Sequence, residues 1–269
     1  MARLLEIDAA GKTFESGWLG RDKTVAVREF SVRVNTEIPS ITAIAGESGS
    51  GKTTVANMIL GFLSPTHGDI RWDGCSLADF SRRDWLDYRR QVQAIFQNPY
   101  EVYNPFYRVD RMFRLVIRKL GAGTSGSHRS VETALREVGL SASEVLGKFP
   151  HQLSGGQRQR LMLARLMLFH PRIVVADEPV SMIDASLKSR ILALLLKMKE
   201  EHGISFIYIT HDLATAYQIA DRILVMNSGE VVEDGPIDAV IDHPSHPYTR
   251  RLVDAIPEPI PRPRSRIPG

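Results

Sequence analysis

Four short apolar runs with few polar residues mark the chain. They read SITAIAG at 40–46, QVQAIF at 91–96, RIVVAD at 172–177 and SFIYIT at 205–210. Runs of this kind are typical of strands buried on both faces, as in a parallel sheet. Helical patterns separate them, such as SLKSRILALLLKMKEEHG at 186–203. The alternation predicts a doubly wound α/β core.

The stretch 98–152 differs, because it carries helical patterns such as HRSVETALREVGL and a glycine-rich segment at 121–127 that is predicted to be a loop. We interpret this stretch as a helical subdomain inserted into the core, which would then comprise 1–97 and 153–242. Residues 243–269 end in PEPIPRPRSRIPG. Proline-rich segments do not form regular structure, so this tail is predicted to be extended.

Composition narrows the class of protein. The 269 residues are 43% hydrophobic, enough for one large core, and the net charge of +3 does not suggest a nucleic-acid partner. Cys75 is the single cysteine, which excludes an internal disulfide and fits a reducing compartment such as the cytoplasm. No apolar run approaches the roughly 20 residues that span a bilayer. We therefore expect a chain that neither spans a membrane nor is exported, although it could act on a membrane protein.

A glycine-rich segment directly follows the first apolar run and precedes a helical pattern. It fits G-x-x-x-x-G-K-[ST], and strand–loop–helix is the context that a phosphate-binding loop requires. Its backbone N–H groups and the helix dipole would surround the phosphates, Lys52 would reach the β- and γ-phosphates, and the Thr53 hydroxyl would bind Mg²⁺. The predicted binding residues are Gly46, Glu47, Ser48, Gly49, Ser50, Gly51, Lys52, Thr53 and Thr54.

Polar residues follow the other three runs. Asp177 and Glu178 end the third run, where the first carboxylate can hold Mg²⁺ and the second can orient or deprotonate water. Gln97 and His211 follow the second and fourth runs, at the sheet edge where open α/β sheets bind ligands. Each could also be an ordinary loop residue. The predicted catalytic residues are Glu178, His211 and Gln97, and the predicted metal ligands are Thr53, Gln97 and Asp177.

Ser154, Gly155, Gly156 and Gln157 precede a periodic helix. A serine followed three residues later by glutamine forms a capping box, so one interpretation is simply a well-capped helix. Capping does not require two adjacent glycines, whereas glycines would let an anion reach the N–H groups at the helix start. The sharper hypothesis is a second phosphate-binding surface.

The segment LSGGQ at 153–157 resembles the signature of ABC ATPases, and the order of motifs along nearly the whole chain matches that family. The resemblance implies a P-loop ABC ATPase fold, with a parallel-sheet core, an N-terminal antiparallel β subdomain and the inserted helical subdomain. It also implies that Phe14 stacks on adenine, although Phe14 could instead be a core aromatic. Gln97, Asp184 and His211 would belong to the Q-loop, the D-loop and the switch.

The same resemblance implies the working arrangement. LSGGQ of one subunit would complete the ATP site on the phosphate loop of another, so that ATP and Mg²⁺ bind at a head-to-tail dimer that opens on hydrolysis. The helical subdomain would grip short helices of transmembrane permease subunits. The chain would then be peripheral, at the cytoplasmic face of the inner (plasma) membrane.

Three segments resemble the peptide/nickel importer branch: GRDKTVAV at 20–27, IFQNPYEVYNP at 95–105 and HPSHPYTRRLVDAIP at 243–257. The implied function is the ATP-hydrolysing subunit of an importer for peptides or related small solutes. It would act with a solute-binding protein and with a second ATPase subunit, which is either a different chain or a copy of itself. The sequence does not identify the solute.

Other functions would require sequence features of their own. An ABC-type ATPase of a non-transport complex usually carries long heptad insertions or two cassettes, and neither occurs here. A GTPase would need a guanine-reading N-K-x-D segment, which is absent from the sequence. RPRSR at 262–266 could be a nucleic-acid arm, although a solvated tail or a lipid contact fits its short length better.

Overall fold

The computed structural model describes residues 3–16, 22–97, 103–120, 124–181 and 183–256. The strands within these ranges are β1 (Leu4–Ser16), β2 (Asp22–Asn35), β3 (Ile41–Ala45), β4 (His67–Trp72), β5 (Cys75–Ser76), β6 (Val92–Ile95), β7 (Ile173–Asp177), β8 (Ser205–Thr210), β9 (Arg222–Asn227) and β10 (Glu230–Pro236). The helices are α1 (Lys52–Ile59), α2 (Arg82–Gln91), α3 (Asp110–Leu120), α4 (Thr124–Glu137), α5 (Ala142–Val145), α6 (Gly155–Phe169), α7 (Ala185–His202), α8 (Leu213–Ile219), α9 (Ile237–Asp242) and α10 (Pro247–Asp254).

These strands form one sheet in the order β5-β4-β1-β2-β10-β9-β3-β8-β7-β6. Strands β9, β3, β8, β7 and β6 pair in parallel, and β5, β4, β1 and β2 pair antiparallel. The predicted parallel core and N-terminal antiparallel part are therefore confirmed.

All four apolar runs form parallel strands, as predicted. Every residue of β3 and β8 is buried, which is why their sequences lack the alternation of a half-exposed strand. Alternate residues of β3 face opposite sides: Ile41 and Ala43 belong to one buried cluster and Ile44 to another. The sheet thus separates two apolar layers, and β3 lies in the middle of both.

The helical layer packs on one side of this sheet. Helices α3 and α4 lie in the predicted insertion and pack against α6, which begins just after the predicted boundary. Buried side chains of these helices, such as Phe113, Leu135 and Leu163, join the same cluster as Phe206 of β8. The division into a core and an inserted subdomain remains a prediction.

Two predictions of irregular structure need correction. Helix α10 occupies 247–254 of the tail that was expected to be extended, because Pro247 stands in the first turn, where a missing N–H costs nothing. Helix α4 begins at Thr124, so 124–127 are not a loop.

Several predicted features lie outside the described residues. They are 121–123 of the predicted loop, Met182 of the D-loop, 257–269 of the tail with its arginine-rich segment, and parts of the segments at 20–27 and 95–105. Within the described residues, no helix is long and apolar enough to cross a membrane.

Candidate active site

The carboxyl ends of four parallel strands meet at one edge of the sheet. The glycine-rich loop follows β3, Asp177 ends β7 with Glu178 directly after it, Gln97 lies just beyond β6, and His211 directly follows β8. Because β3, β8, β7 and β6 are neighbours in the sheet, the fold brings these four chain segments together. The edge predicted from sequence is therefore the edge that the structure builds.

The glycine-rich loop depends on the conformational freedom of Gly51 and Gly49. Gly51 precedes α1 with φ of 102°, and a Cβ there would collide with the carbonyl oxygen of Ala26 in β2. Gly49, with φ of 82°, has open space where its Cβ would lie. Both backbone conformations are ones that other residues rarely adopt. No side chain caps the start of α1, and the residues at 51–54 line an open cavity.

Lys52 is folded onto its own loop. Its Nζ donates to the carbonyl oxygens of Gly46, at 2.8 Å, and Glu47, at 2.7 Å, and lies 3.3 Å from Ser50 Oγ. Burial lowers the pKa of Lys52, and the carboxylates of Glu178 and Asp177 act in the opposite direction. A buried ammonium held only by neutral oxygens is well suited to bind an anion such as phosphate.

Glu178 stands between the two other predicted catalytic side chains. Gln97 Nε2 donates to Glu178 Oε2 at 2.9 Å, and His211 Nδ1 lies 2.7 Å from Glu178 Oε1. Glu178 is mostly buried, with 17% of its side chain exposed, whereas 56% of His211 is exposed. The φ of Glu178 is 46°, a strained value that is often found where a side chain must be aimed at a reacting group.

Asp177 faces Thr53 at the start of α1. Burial raises the pKa of the Asp177 carboxyl, while a hydrogen bond with the Thr53 side chain acts in the opposite direction. A carboxylate and a hydroxyl are the hard oxygen donors that Mg²⁺ prefers. Among the described residues no cluster of three His, Cys, Asp or Glu side chains could hold a metal alone. This donor set fits a cation that substrate phosphates help to bind.

A cavity of about 650 Å³ opens between these groups. The predicted residues on its wall are Gly46, Glu47, Ser48, Gly49, Gly51, Lys52, Thr53, Thr54, Gln97, Glu178 and His211. Ser50 does not line it, because its side chain is turned inward toward Lys52. Asp177 is likewise absent from the wall and reaches the site through Thr53. The volume is within the range of small-molecule sites.

Other predicted residues lie away from this cavity. Of the described residues, neither Phe14, the segment 154–157 nor Asp184 lines it. Phe14 is 39% exposed, which excludes the alternative of a core aromatic, and its ring lies 5.6 Å from Lys12 Nζ. Its strand partner, Thr24, is two residues from Ala26, which does line the cavity.

The predicted capping box at Ser154 is present. Ser154 Oγ accepts from the Gln157 N–H at 3.2 Å, and Gln157 Oε1 accepts from the Ser154 N–H at 3.0 Å. Gly156 is buried, and a Cβ there would collide with Leu187 of α7, so packing explains this glycine. Gly155 has open space instead. The exposed start of α6 is therefore formed by Ser154, Gly155 and Gln157.

Asp184 has a similar position at the start of α7. It is the N-cap residue and is exposed, yet its side chain makes no capping hydrogen bond. Its carboxylate therefore remains available to a group from outside the chain, at a helix end that favours negative charge.

Three cavity neighbours were missed from the sequence. Ala26 of β2 and Leu252 of α10 line the cavity, and the Tyr248 hydroxyl accepts from the Glu47 N–H at 2.9 Å. The segment containing Tyr248 and Leu252 was noticed as a branch motif, but no site role was assigned to it. That motif was the signal that could have identified both residues.

Comparisons with known proteins identify the family of this chain. The ABC transporter family model matches 30–181, more than half of the chain, and the model of the oligopeptide/dipeptide transporter C-terminal region matches 232–269. The chain is 34% identical over 261 residues to the oligopeptide transport ATP-binding protein OppF of Streptococcus mutans, covering 96% of this chain and 83% of the relative. It is also 34% identical over 269 residues to a probable peptide ABC transporter ATP-binding protein of Sinorhizobium fredii, covering 98% and 76%.

Solved structures have the same fold. The chain is similar to the ATP-binding cassette MJ0796 in a dimeric post-hydrolysis state bound to ADP and Pi, with a TM-score of 0.74, 26% identity, and coverage of 87% of this chain and 98% of that chain. For cbiO1 of Clostridium perfringens, part of the ABC transporter complex cbiONQ, the TM-score is 0.77, with 26% identity over 89% of this chain and 90% of that one. The predicted resemblance is confirmed. The chain belongs to the ABC transporter family and is one of its ATP-hydrolysing subunits.

Proposed function

We propose that this chain powers the import of peptides or related small solutes by hydrolysing ATP at a site shared between two ATPase subunits. One observation carries the proposal. Lys52, Glu178, Gln97 and His211 meet around one cavity, while the capped helix start at Ser154 lies outside it. The chain thus holds two different half-sites that do not meet within it.

ATP phosphates bind on the loop that follows β3. Lys52 Nζ gives up its bonds to the carbonyl oxygens of Gly46 and Glu47 in favour of phosphate oxygens, which are stronger acceptors because they are charged. The uncapped N–H groups at the start of α1 donate to the same phosphates. Adenine stacks on Phe14, whose exposed ring is free to accept a base.

Asp177, Thr53 and Gln97 are the residues that would hold Mg²⁺ at this site. When bound, the ion would supply positive charge to offset the charge that develops on the phosphate oxygens. Asp177 and Thr53 are already in contact at the start of α1. Gln97 joins them after its amide leaves Glu178, a bond that is exposed and easily exchanged.

Glu178 orients the attacking water and accepts its proton. Its carboxylate is held at both oxygens, by Gln97 at 2.9 Å and by His211 at 2.7 Å, so it is aimed before substrate arrives. His211 is exposed enough to turn toward the γ-phosphate and donate to it. Transfer of His211 from Glu178 to phosphate would free the carboxylate for catalysis.

A second ATPase subunit supplies the missing half-site. The exposed start of α6 at Ser154 binds the γ-phosphate of ATP that is held on the partner's loop, and Asp184 lies along the same interface. The dimeric structure of the similar ATP-binding cassette MJ0796 supports this arrangement. The partner is a second copy of this chain or a related ATPase.

A groove in the helical layer contacts the permease. It has a volume of about 370 Å³, and apolar residues such as Val109 and Met112 line it together with the cations Arg108, Arg111, Lys119 and Arg165. No acidic residue is among the described residues of its wall. We expect it to hold a short permease helix that carries a carboxylate, and we propose that the chain acts at the cytoplasmic face of the membrane.

Charge reversal tests this contact. Arg111→Glu is expected to abolish co-purification with the permease subunits while leaving ATP affinity unchanged. Arg83→Glu, at an exposed position on α2, is the matched control and should retain the complex. Equal retention of the permease by both variants would move the contact elsewhere.

Names of relatives support the solute class. OppF of Streptococcus mutans is named for oligopeptide transport, and GsiA of Salmonella typhimurium, of which this chain covers 34%, is named for glutathione import. The relatives give no support to a non-transport complex. Proteoliposomes with the permease and its solute-binding protein should take up a labelled oligopeptide only when ATP is inside and Glu178 is intact. Uptake of nickel or an oligosaccharide instead would reassign the solute.

A further inference from the structure

Helix α10 lies against the glycine-rich loop that follows β3, although the two are far apart in sequence. The Tyr248 hydroxyl accepts from the Glu47 N–H at 2.9 Å, a bond between residues 201 positions apart. Leu252, one turn further along α10, lines the cavity. We propose that Tyr248 is a positioning residue that fixes the first half of this loop for ATP, with α10 as a wall of the site; this rests on the proposed function.

Tyr248 is itself held in place. The Glu233 carboxylate, on β10, accepts from the N–H groups of Ser245, at 2.7 Å, and His246, at 3.0 Å. His246 Nδ1 then caps the helix by accepting from the Tyr248 N–H at 3.1 Å. Pro247 at the first helical position further limits the backbone. Tyr248 is 3% exposed, so its ring is fixed by packing as well.

The loop needs an anchor at this point. Glu47 and Ser48 are exposed, and the Glu47 N–H donates to Tyr248 of α10, outside the loop itself. The second half of the loop has a separate anchor, since the Gly229 N–H donates to the Ser50 carbonyl at 3.1 Å. Lys52 holds Glu47 through its carbonyl, but it must leave when it binds phosphate. The Tyr248 bond remains, and it keeps the loop ordered through the exchange.

Tyr248 should therefore affect the binding of ATP and not its hydrolysis. A loop that is ordered in advance loses less conformational freedom when ATP binds, so its anchor contributes to affinity. The Tyr248 hydroxyl is bonded to the Glu47 N–H, whereas Glu178 is bonded to Gln97 and His211. Loss of its hydroxyl should therefore raise KM for ATP and the Kd for ATP, and change kcat at saturating ATP little.

The test uses Tyr248→Phe in the full chain, which removes one oxygen atom and retains the packing. ATP affinity is expected to fall about two- to tenfold, the range for one net hydrogen bond. Tyr88→Phe is the matched control, because that buried hydroxyl donates to the Ile59 carbonyl at 2.6 Å and does not reach the loop. It should lower the melting temperature by a similar amount and leave ATP affinity unchanged.

A second variant reaches the loop indirectly. Glu233→Ala removes the acceptor that holds 245–246 and is expected to weaken ATP binding in the same direction. Wild-type ATP affinity in Tyr248→Phe, or equal losses in Tyr248→Phe and Tyr88→Phe, would overturn the positioning role. Failure of the wild-type chain to bind ATP at all would instead overturn the proposed function together with this inference.

Discussion

We propose that two helix starts in this molecule bind phosphate, and the two differ in structure. Helix α1 begins after Gly51, with no side chain on its first N–H groups, whereas α6 begins at Ser154, whose own hydroxyl caps the helix. The start of α1 faces a cavity of about 650 Å³ with Lys52, Glu178 and His211 around it. The start of α6 is exposed and has none of these groups.

This difference indicates separate roles: the α1 site would bind ATP, and the α6 start would complete a site on another subunit. The α1 site has a cation, a carboxylate to hold metal and a carboxylate to activate water, so it can bind ATP alone. The α6 start offers neutral donors and a dipole, which are too weak to hold ATP without a charged partner. In the proposed function, the α6 start contributes when another subunit presents phosphate to it. Substitutions in the two regions should therefore have different effects.

Lys52→Ala should give the largest effect. The variant lacks the cation held at the cavity, so ATP binding and turnover should both disappear. Equilibrium binding of a labelled ATP analogue measures this directly. Unchanged affinity would remove Lys52 from the site.

Glu178→Gln should separate ATP binding from ATP hydrolysis at the α1 site. The amide keeps the shape and one acceptor oxygen but cannot take a proton, so turnover should fall about 10²- to 10⁴-fold while ATP binding is retained. Single-turnover hydrolysis with saturating ATP is the measurement. Hydrolysis at the wild-type rate would assign water activation to another group.

Phe14→Ala should weaken nucleotide affinity by about 1–3 kcal/mol, the range for one base–aromatic stack. Phe14→Tyr keeps the ring and is the control, for which little change is expected. Because the ring is already 39% exposed, little loss of stability should accompany the alanine variant. An alanine variant with unaltered affinity would show that adenine binds elsewhere.

The two adjacent glycines of α6 provide the smallest and most selective effect. Gly156→Ala meets Leu187, whereas Gly155→Ala meets open space. Gly156→Ala should therefore be less stable than Gly155→Ala by about 1 kcal/mol, at the low end for overpacking because Leu187 can change rotamer. Thermal unfolding of the two variants tests this. Equal melting temperatures would remove the packing explanation for Gly156.

The strands, and the sheet edge where their carboxyl ends meet, were predicted well from the sequence because both depend on local signals. Continuous apolar runs report burial on both faces, and residues at strand ends converge once the strands are parallel. Ser154 was predicted for the same reason, since a capping box is contained in four residues.

The contacts that the sequence did not predict are tertiary. Ala26 lies in a strand of the antiparallel part, and Tyr248 reaches Glu47 across 201 positions. No local pattern encodes such a meeting. The tail was predicted to be extended because its final prolines dominated the composition, whereas Pro247 begins a helix. The close packing of Leu187 on Gly156 could not be predicted from the sequence either, because Leu187 belongs to another helix.

The central claim is that Ser154 acts on ATP held by another subunit. Ser154→Arg adds bulk where that phosphate should dock. Mixed with Lys52→Ala, it should recover some hydrolysis if the chain pairs with itself, since one composite site stays intact. If it pairs only with a different ATPase, the same variants should be compared in the assembled importer.

The most direct measurement is the affinity of Ser154→Arg for ATP at its own Lys52 loop, taken alongside its ATP-driven association in the same sample. Wild-type ATP affinity and no association are expected, because Ser154 does not line the cavity that holds Lys52. Loss of ATP binding at its own loop would place Ser154 in the same site as Lys52 and contradict the shared-site mechanism.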